Sequence, residues 1–259
     1  FCYDESWWVV PGRDGLPEIY HTRLCPENPS TEYPEEVMSD ELPATITIAM
    51  MRESLYSAVV ADALDALGYT HQSPRLPFHP YTTDSLLVGR CKTTLWEELD
   101  DKDPNPYELE LQAVDACQPD DVLIAAAQGS LRSGIWGELL STAAGNRGCV
   151  GAIVDGAVRD IQKMRDMGFA VFARGTSVYD SQDRQRVCAI DVEIKIDGVA
   201  FATGDLVFAD EDGVVVVPRA IEDEAIAAAW QKVHDENITR DAIRNGMKAT
   251  DAYQKYGVL

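Results

Sequence analysis

No two cysteines in this 259-residue sequence stand at CxxC spacing, which argues against a zinc knuckle or a redox motif. No apolar run reaches the ~18–20 residues that a membrane-spanning helix requires. Gly-x-Gly-x-x-Gly follows no strand-like run and Walker A is missing, so nothing supports a nucleotide cofactor. Positive charge is scarce: 22 Lys and Arg stand against 44 Asp and Glu, a net charge of −22. That balance disfavours a nucleic-acid backbone, whose binding relies on Lys and Arg neutralising phosphates. It disfavours an anionic membrane surface for the same reason. An anionic substrate would need a local cationic site. Histidine is rare, and His71 and His79 fall in a loop with Pro74, Pro77 and Pro80, without any His-x-x-x-His or matching acid spacing. They read as solvent-facing side chains rather than metal ligands. The acidic stretch from Asp100 to Asn105 lacks the spacing of an EF-hand. Ser141 and Ser177 have no nucleophile-elbow context.

What is present is an ordinary globular composition, 46% hydrophobic and 25% charged, in a chain long enough to bury a sizeable core. The sequence opens on Phe1 rather than Met, so Phe1 is not read as a native terminus. Residues 1–45 carry six prolines and one apolar cluster, Trp7-Trp8-Val9-Val10. They read as a Pro-rich arm that docks its tryptophans on the body or on a neighbouring subunit, because two exposed Trp are costly. Residues 46–259 form the expected folded domain. A helix is expected over 44–67, where Ile48, Met51, Leu55, Val59, Ala63 and Leu67 recur at helical spacing. Its Asp62 and Asp65 read as a solvated face. Further expectations are a strand over 86–95, a helix over 107–116 with Tyr107, Leu111 and Val114 on one side, and a strand over 122–127. Cys91, Cys117, Cys149 and Cys188 sit in apolar runs and are expected as small buried residues. Cys2 and Cys25 could pair, although reduced thiols are the rule in the cytoplasm, the default location. After residue 173 the character changes to short strands, 188–196, 199–202, 206–209 and 214–217, joined by Asp-Gly and Thr-Gly turns. Two helices close the chain, the second from Asp241 to Tyr256.

The centre of the chain is residues 134–160. Gly134 and Gly137 punctuate a loop, and Glu138 opens a short helix. Cys149–Val154 is a short apolar run that reads as a buried strand, and Asp155-Gly156 reads as the turn after it. Arg159-Asp160 then lies just beyond that strand, before a helix over 161–167 and a strand over 169–173. Strand-helix-strand-helix-strand across 122–173 implies parallel strands, and ligands of α/β folds usually bind at their carboxyl ends. A helix start can hold a carboxylate, an Arg can hold a second oxygen in a planar fork, and Asp160 can bind a hard cation. Glu138 offers a carboxylate for proton transfer. From the residues alone, Arg159 and Asp160 could equally cap and solubilise the helix that follows.

Glu138, twenty intervening residues and Arg159-Asp160 resemble the acid-x20-Arg-Asp signature of the RraA-like family. That family includes class II pyruvate aldolases acting on 4-hydroxy-4-methyl-2-oxoglutarate and 4-carboxy-4-hydroxy-2-oxoadipate, and also the regulator of ribonuclease E activity. Trp136–Leu140, Val154–Gly156, Val171–Gly175 and Gly204–Pro218 resemble family blocks too, and the likeness covers roughly residues 48–259. One departure is Lys163, where some members place an acid.

The resemblance implies an α/β fold, an α/β/β sandwich with a mixed sheet, here preceded by an irregular N-terminal arm. It implies a homotrimer or homohexamer with sites between subunits. It also implies Mg²⁺ or Mn²⁺ on Asp160, and a small 2-oxo acid substrate whose carboxylate meets the backbone amides of Leu139 and Leu140 beside Gly137. Arg159 would contact the oxygen that becomes the enolate, and Glu138 would serve proton transfer. The implied activity is retro-aldol cleavage or decarboxylation through a pyruvate enolate. Two other readings stay open: a non-catalytic regulatory binding protein, and a Mg²⁺-dependent lyase or hydratase acting on a sugar acid.

Overall fold

The computed structural model describes the backbone of residues 7–11 and 17–21, and residues 43, 45–83 and 86–258. The chain divides into two compact units, Phe1–Glu41 and Leu42–Leu259. In the first, β1 (Trp7–Pro11) pairs antiparallel with β2 (Pro17–His21). The stretch expected to be irregular therefore contains a ladder. Pro11 and Pro17 form its last pair, where a missing N–H is best tolerated. The docking expected of the Trp7 and Trp8 side chains, and any Cys2–Cys25 pairing, lie outside the described residues.

The second unit opens with α1 (Ile48–Ser54) and α2 (Ser57–Ala66). The sequence periodicity suggests one helix here, but the Ser57 N–H donates to Asp210 Oδ2 at 2.8 Å instead of continuing the helical ladder. That side chain from a distant turn splits the helix at Leu55-Tyr56. Asp62 and Asp65 are exposed, as the solvated face required.

Next come β3 (His79–Pro80), β4 (Leu87–Glu98), α3 (Glu108–Asp115), β5 (Asp121–Trp136), α4 (Glu138–Asn146), β6 (Gly151–Val158), α5 (Ile161–Asp166) and β7 (Ala170–Thr176). They are followed by β8 (Gln185–Ile190), β9 (Ile194–Ile196), β10 (Val199–Phe201), β11 (Leu206–Ala209) and β12 (Val214–Val217). The long α6 (Glu222–Arg244) and α7 (Ala249–Tyr256) end the chain. Asp241 thus belongs to α6 rather than starting the last helix.

One mixed sheet runs β12-β11-β4-β5-β6-β7-β3, with β8 paired to the far half of β4. β4, β5, β6 and β7 are parallel, and β3, β8, β11 and β12 are antiparallel to their neighbours. Successive side chains of a strand face opposite ways, and the central strands are apolar on both faces, as buried parallel strands must be. On β5, Leu123, Ala125 and Ala127 join a core with Trp96, Val114, Trp136 and Met164. Val122, Ile124 and Ala126 face a second core with Phe172, Ile194, Ile196 and Phe201, under the β9–β10 hairpin. Helices on one face and a hairpin on the other make the expected α/β/β layering. A third core seats α1, α2 and α6 on β11 and β12.

Other departures from the sequence reading are local. Asp155 and Gly156 lie inside β6, not in a turn, because Asp155 is buried and ion-paired to Arg174. Gly134 belongs to the bulged end of β5 rather than to a loop. The strand expected over 188–196 breaks at Asp191, whose φ is 56° and whose carboxylate meets Lys92 Nζ at 2.6 Å. Cys91, Cys117 and Cys149 are buried and free, but Cys188 is exposed, pointing away from the core its neighbour Val187 joins. No helix among the described residues is long and apolar enough to cross a membrane.

Candidate active site

The carboxyl ends of β5 and β6, the start of α4, the face of α3 and the connection after β7 enclose a cleft of about 260 Å³. Bulging of β5 shapes it. From Ala126 to Trp136 the strand passes only Asp155–Val158 of its partner, with three register shifts. Such bulges re-aim side chains and are frequent beside active sites. The Trp136 indole donates to the buried Ser141 Oγ at 2.8 Å, fixing where α4 begins. Arg159 N–H donates to Trp136 O at 2.9 Å and Gly134 N–H to Tyr179 O at 2.9 Å, which bring the 159–160 and 179–181 segments together.

Asp160 has a left-handed backbone, φ 56° and ψ 31°, as the N-cap of α5. Its carboxylate is thereby turned toward α4, where Oδ2 accepts from Glu138 N–H at 3.3 Å. Gly137 makes this approach possible, since a Cβ there would lie 2.6 Å from Asp160 Oδ2. The first turn of a helix leaves amides without helical acceptors. Ser141 N–H reaches Gly137 O at 3.1 Å, so the amides of Leu139 and Leu140 precede the α4 ladder. Both residues line the cleft, and Leu139 is 80% exposed.

Arg159 extends across the cleft and donates through Nη2 to Asp180 Oδ2 at 2.7 Å, while its Nε is 3.9 Å from Asp160 Oδ2. Tyr107 OH donates to Asp180 Oδ1 at 2.8 Å. Partial burial opposes ionisation of Asp180, but bonds from Gln182 N–H, Tyr107 and Arg159 outweigh it and hold the carboxyl below its ordinary range. Burial, then the bond to Asp180, pushes the Tyr107 phenol up to about 12. Glu110 is buried in the same cleft, and desolvation followed by repulsion from Asp180 pushes its carboxyl up to about 8, only partly offset by Arg159.

The structure thus unites Gly137, Leu139, Leu140, Arg159 and Asp160. Glu138 contributes its amide to Asp160, while its half-buried side chain stands outside the cleft lining. His71 and His79 are exposed and stand outside that lining too. Tyr107, Glu110 and Asp180 are site residues that sequence reasoning missed. A signal for Glu110 exists: the buried face of α3 is Glu110, Ala113 and Val114, whereas Leu111, expected inside, is half exposed. An acid on the apolar side of an amphipathic helix is the mark to look for.

The profile of the RraA-like family, described as Aldolase/RraA, matches residues 57–216, well over half of the chain. The chain belongs to the RraA-like family. Among its relatives, the "Putative 4-hydroxy-4-methyl-2-oxoglutarate aldolase" of Halalkalibacterium halodurans is 29% identical over 210 residues, covering 81% of this chain and 95% of that protein. Protein DlpA of Legionella pneumophila is 26% identical over 200 residues, 77% of this chain but only 32% of DlpA. The solved structure of RraAS2 from Streptomyces coelicolor, an unusual member of the RNase ES inhibitor RraA protein family, superposes with a TM-score of 0.65 at 28% identity. That match covers 76% of this chain and 99% of RraAS2.

For an RraA-like chain the donor set can be tested against a divalent cation. Among the described residues no group of three or more His, Cys, Asp or Glu could cage a metal, which does not suit a structural zinc site. A single carboxylate on a water-accessible wall suits Mg²⁺ or Mn²⁺, hard cations that keep several waters. Asp160, 43% exposed and backed by Gly137, fits that description.

Proposed function

We propose that this RraA-like chain is a divalent-metal-dependent lyase that cleaves or decarboxylates a 2-oxo acid through the enolate of pyruvate. The observation that carries the reading is the meeting of Arg159, Asp160 and the first amides of α4 at one cleft. Those amides bind the carboxylate of the 2-oxo acid, as helix starts bind anions. Arg159 would donate to the carbonyl oxygen on which charge grows, where a preorganised donor stabilises the transition state more than the ground state. Asp160 would hold Mg²⁺ or Mn²⁺, which when bound would supply Lewis-acid charge. In retro-aldol cleavage the 4-hydroxyl loses its proton, the C3–C4 bond breaks into the enolate, and C3 is then protonated. Glu138 serves the hydroxyl proton through a bridging water, since its carboxylate stands outside the lining. Decarboxylation sends CO₂ away and leaves the same enolate.

The reading includes a homotrimer or homohexamer, supported by apolar side chains exposed near the cleft, Leu139 at 80% and Val178 at 87%. Free buried thiols support a reducing location such as the cytoplasm. The likeness to RraAS2 favours a second reading, a regulatory binding protein without catalysis. One assay separates the two: pyruvate release from a panel of 2-oxo acids, with Mg²⁺ and with excess EDTA. Release that EDTA abolishes supports the lyase. Absence of release across the panel supports the regulator.

A further inference from the structure

Glu110 is the least explained polar group in the cleft. It is 7% exposed and lines the cavity, and its side chain makes no hydrogen bond or ion pair among the described residues. Its charged neighbours are Asp180 and Arg159. Asp180 already accepts from Arg159, Tyr107 and Gln182 N–H. Arg159 is the one cation lining the cleft among the described residues, and it faces Asp160 and Asp180 together. Of the cations nearby but outside its lining, Arg186 pairs with Glu97 and Asp103, and Arg184 donates to the carbonyls of Asp180 and Gln182.

We infer that Glu110 and Asp180 select the tail of the substrate, accepting an uncharged hydroxylated group and rejecting a second carboxylate. This rests on the lyase reading. Glu110 and Asp180 line the same wall, Glu110 is buried there, and a carboxylate brought in by the substrate would meet the same desolvation and both acids. A hydroxyl would instead pair with the Glu110 carboxyl, which can donate or accept, and a site with a buried hydrogen-bonding group discriminates strongly for a partner that satisfies it.

The test is a matched pair of substrates differing only at the terminal carbon: 4,5-dihydroxy-2-oxopentanoate and 4-hydroxy-2-oxoglutarate. In each the 4-hydroxyl proton is lost, C3–C4 breaks and C3 is reprotonated, giving pyruvate with glycolaldehyde or glyoxylate. With Mg²⁺ the diol should show the higher kcat/KM by about tenfold or more, because like charges juxtaposed in a binding site are costly. Glu110→Val should narrow that ratio severalfold by raising KM for the diol. Equal or faster turnover of the dicarboxylate by the wild-type protein overturns the inference, whatever the variant does. A ratio unmoved in folded Glu110→Val also overturns it. Deuterium exchange into the methyl group of pyruvate needs the enolate but no tail. Exchange with neither aldol cleaved overturns the inference and spares the lyase, whereas no exchange and no cleavage overturns both.

Discussion

Two arginine–aspartate clusters lie on neighbouring strand ends, and they use the same side chains to opposite effect. Arg174 on β7 donates to Asp155 at 2.8 Å, Asp197 at 2.8 Å, Pro77 O at 3.2 Å and Leu76 O, with its Cζ 3.9 Å from the Phe78 ring centroid. Its side chain is 8% exposed, and Asp155 beside it is 7% exposed. All three of its nitrogens are engaged in binding the 76–78 segment, β6 and the β9–β10 turn to one another. Arg159 has one close partner, Asp180, and its side chain is 33% exposed. A saturated guanidinium holds the fold together, while one with spare donors at a cleft can receive a ligand. Residue type alone does not distinguish them.

The largest effect should come from breaking the saturated cluster. Arg174→Ala strands the buried carboxylate of Asp155, so unfolding in urea should show a loss of about 3–5 kcal/mol. A loss comparable to that of an exposed pair, about 1 kcal/mol or less, would show that Arg174 is not the clamp described. Arg159→Lys keeps the charge and removes the fork. It should lower kcat by about 10²–10³ for both retro-aldol cleavage and decarboxylation, with stability little changed. A rise in KM alone would make Arg159 a ground-state anchor.

A smaller effect should separate the clusters by pH. The folded Glu110 carboxyl lies at about 8, above its ordinary 4.5. The folded state therefore holds this proton more tightly, and the associated stability is full below about 4.5 and lost as pH rises through about 8. Glu110→Gln removes that dependence. Its stability relative to wild type should climb between pH 4.5 and 8, measured by urea unfolding across that range. A flat difference would show that Glu110 is not desolvated in the folded protein.

Much of the fold was legible because its signals are local. Leu206–Ala209 and Val214–Val217 are uninterrupted apolar runs between Gly turns, and the strands begin and end where those runs do. The order of parallel strands through 122–173 followed from alternating strand and helix patterns. Where the reading failed, a partner distant in sequence decided the outcome. Asp-Gly at 155–156 has the local chemistry of a turn, but Arg174 buries it in a strand. Ser57 sits in an unbroken helical stripe until Asp210 takes its N–H. In the site, Arg159-Asp160 stood out as adjacent charges beyond a strand. Asp180 and Glu110, 21 and 49 residues away from Arg159, join it only through the sheet's topology.

The central claim is that Asp160 anchors the reacting centre while contributing little to the fold. It is tested most directly by pyruvate release from oxaloacetate under a Mg²⁺ titration, comparing wild type with Asp160→Ala of equal urea midpoint. The account predicts Mg²⁺-dependent release in wild type and none above the uncatalysed rate in Asp160→Ala. Release at the wild-type rate from the variant, with the same Mg²⁺ dependence, would contradict it.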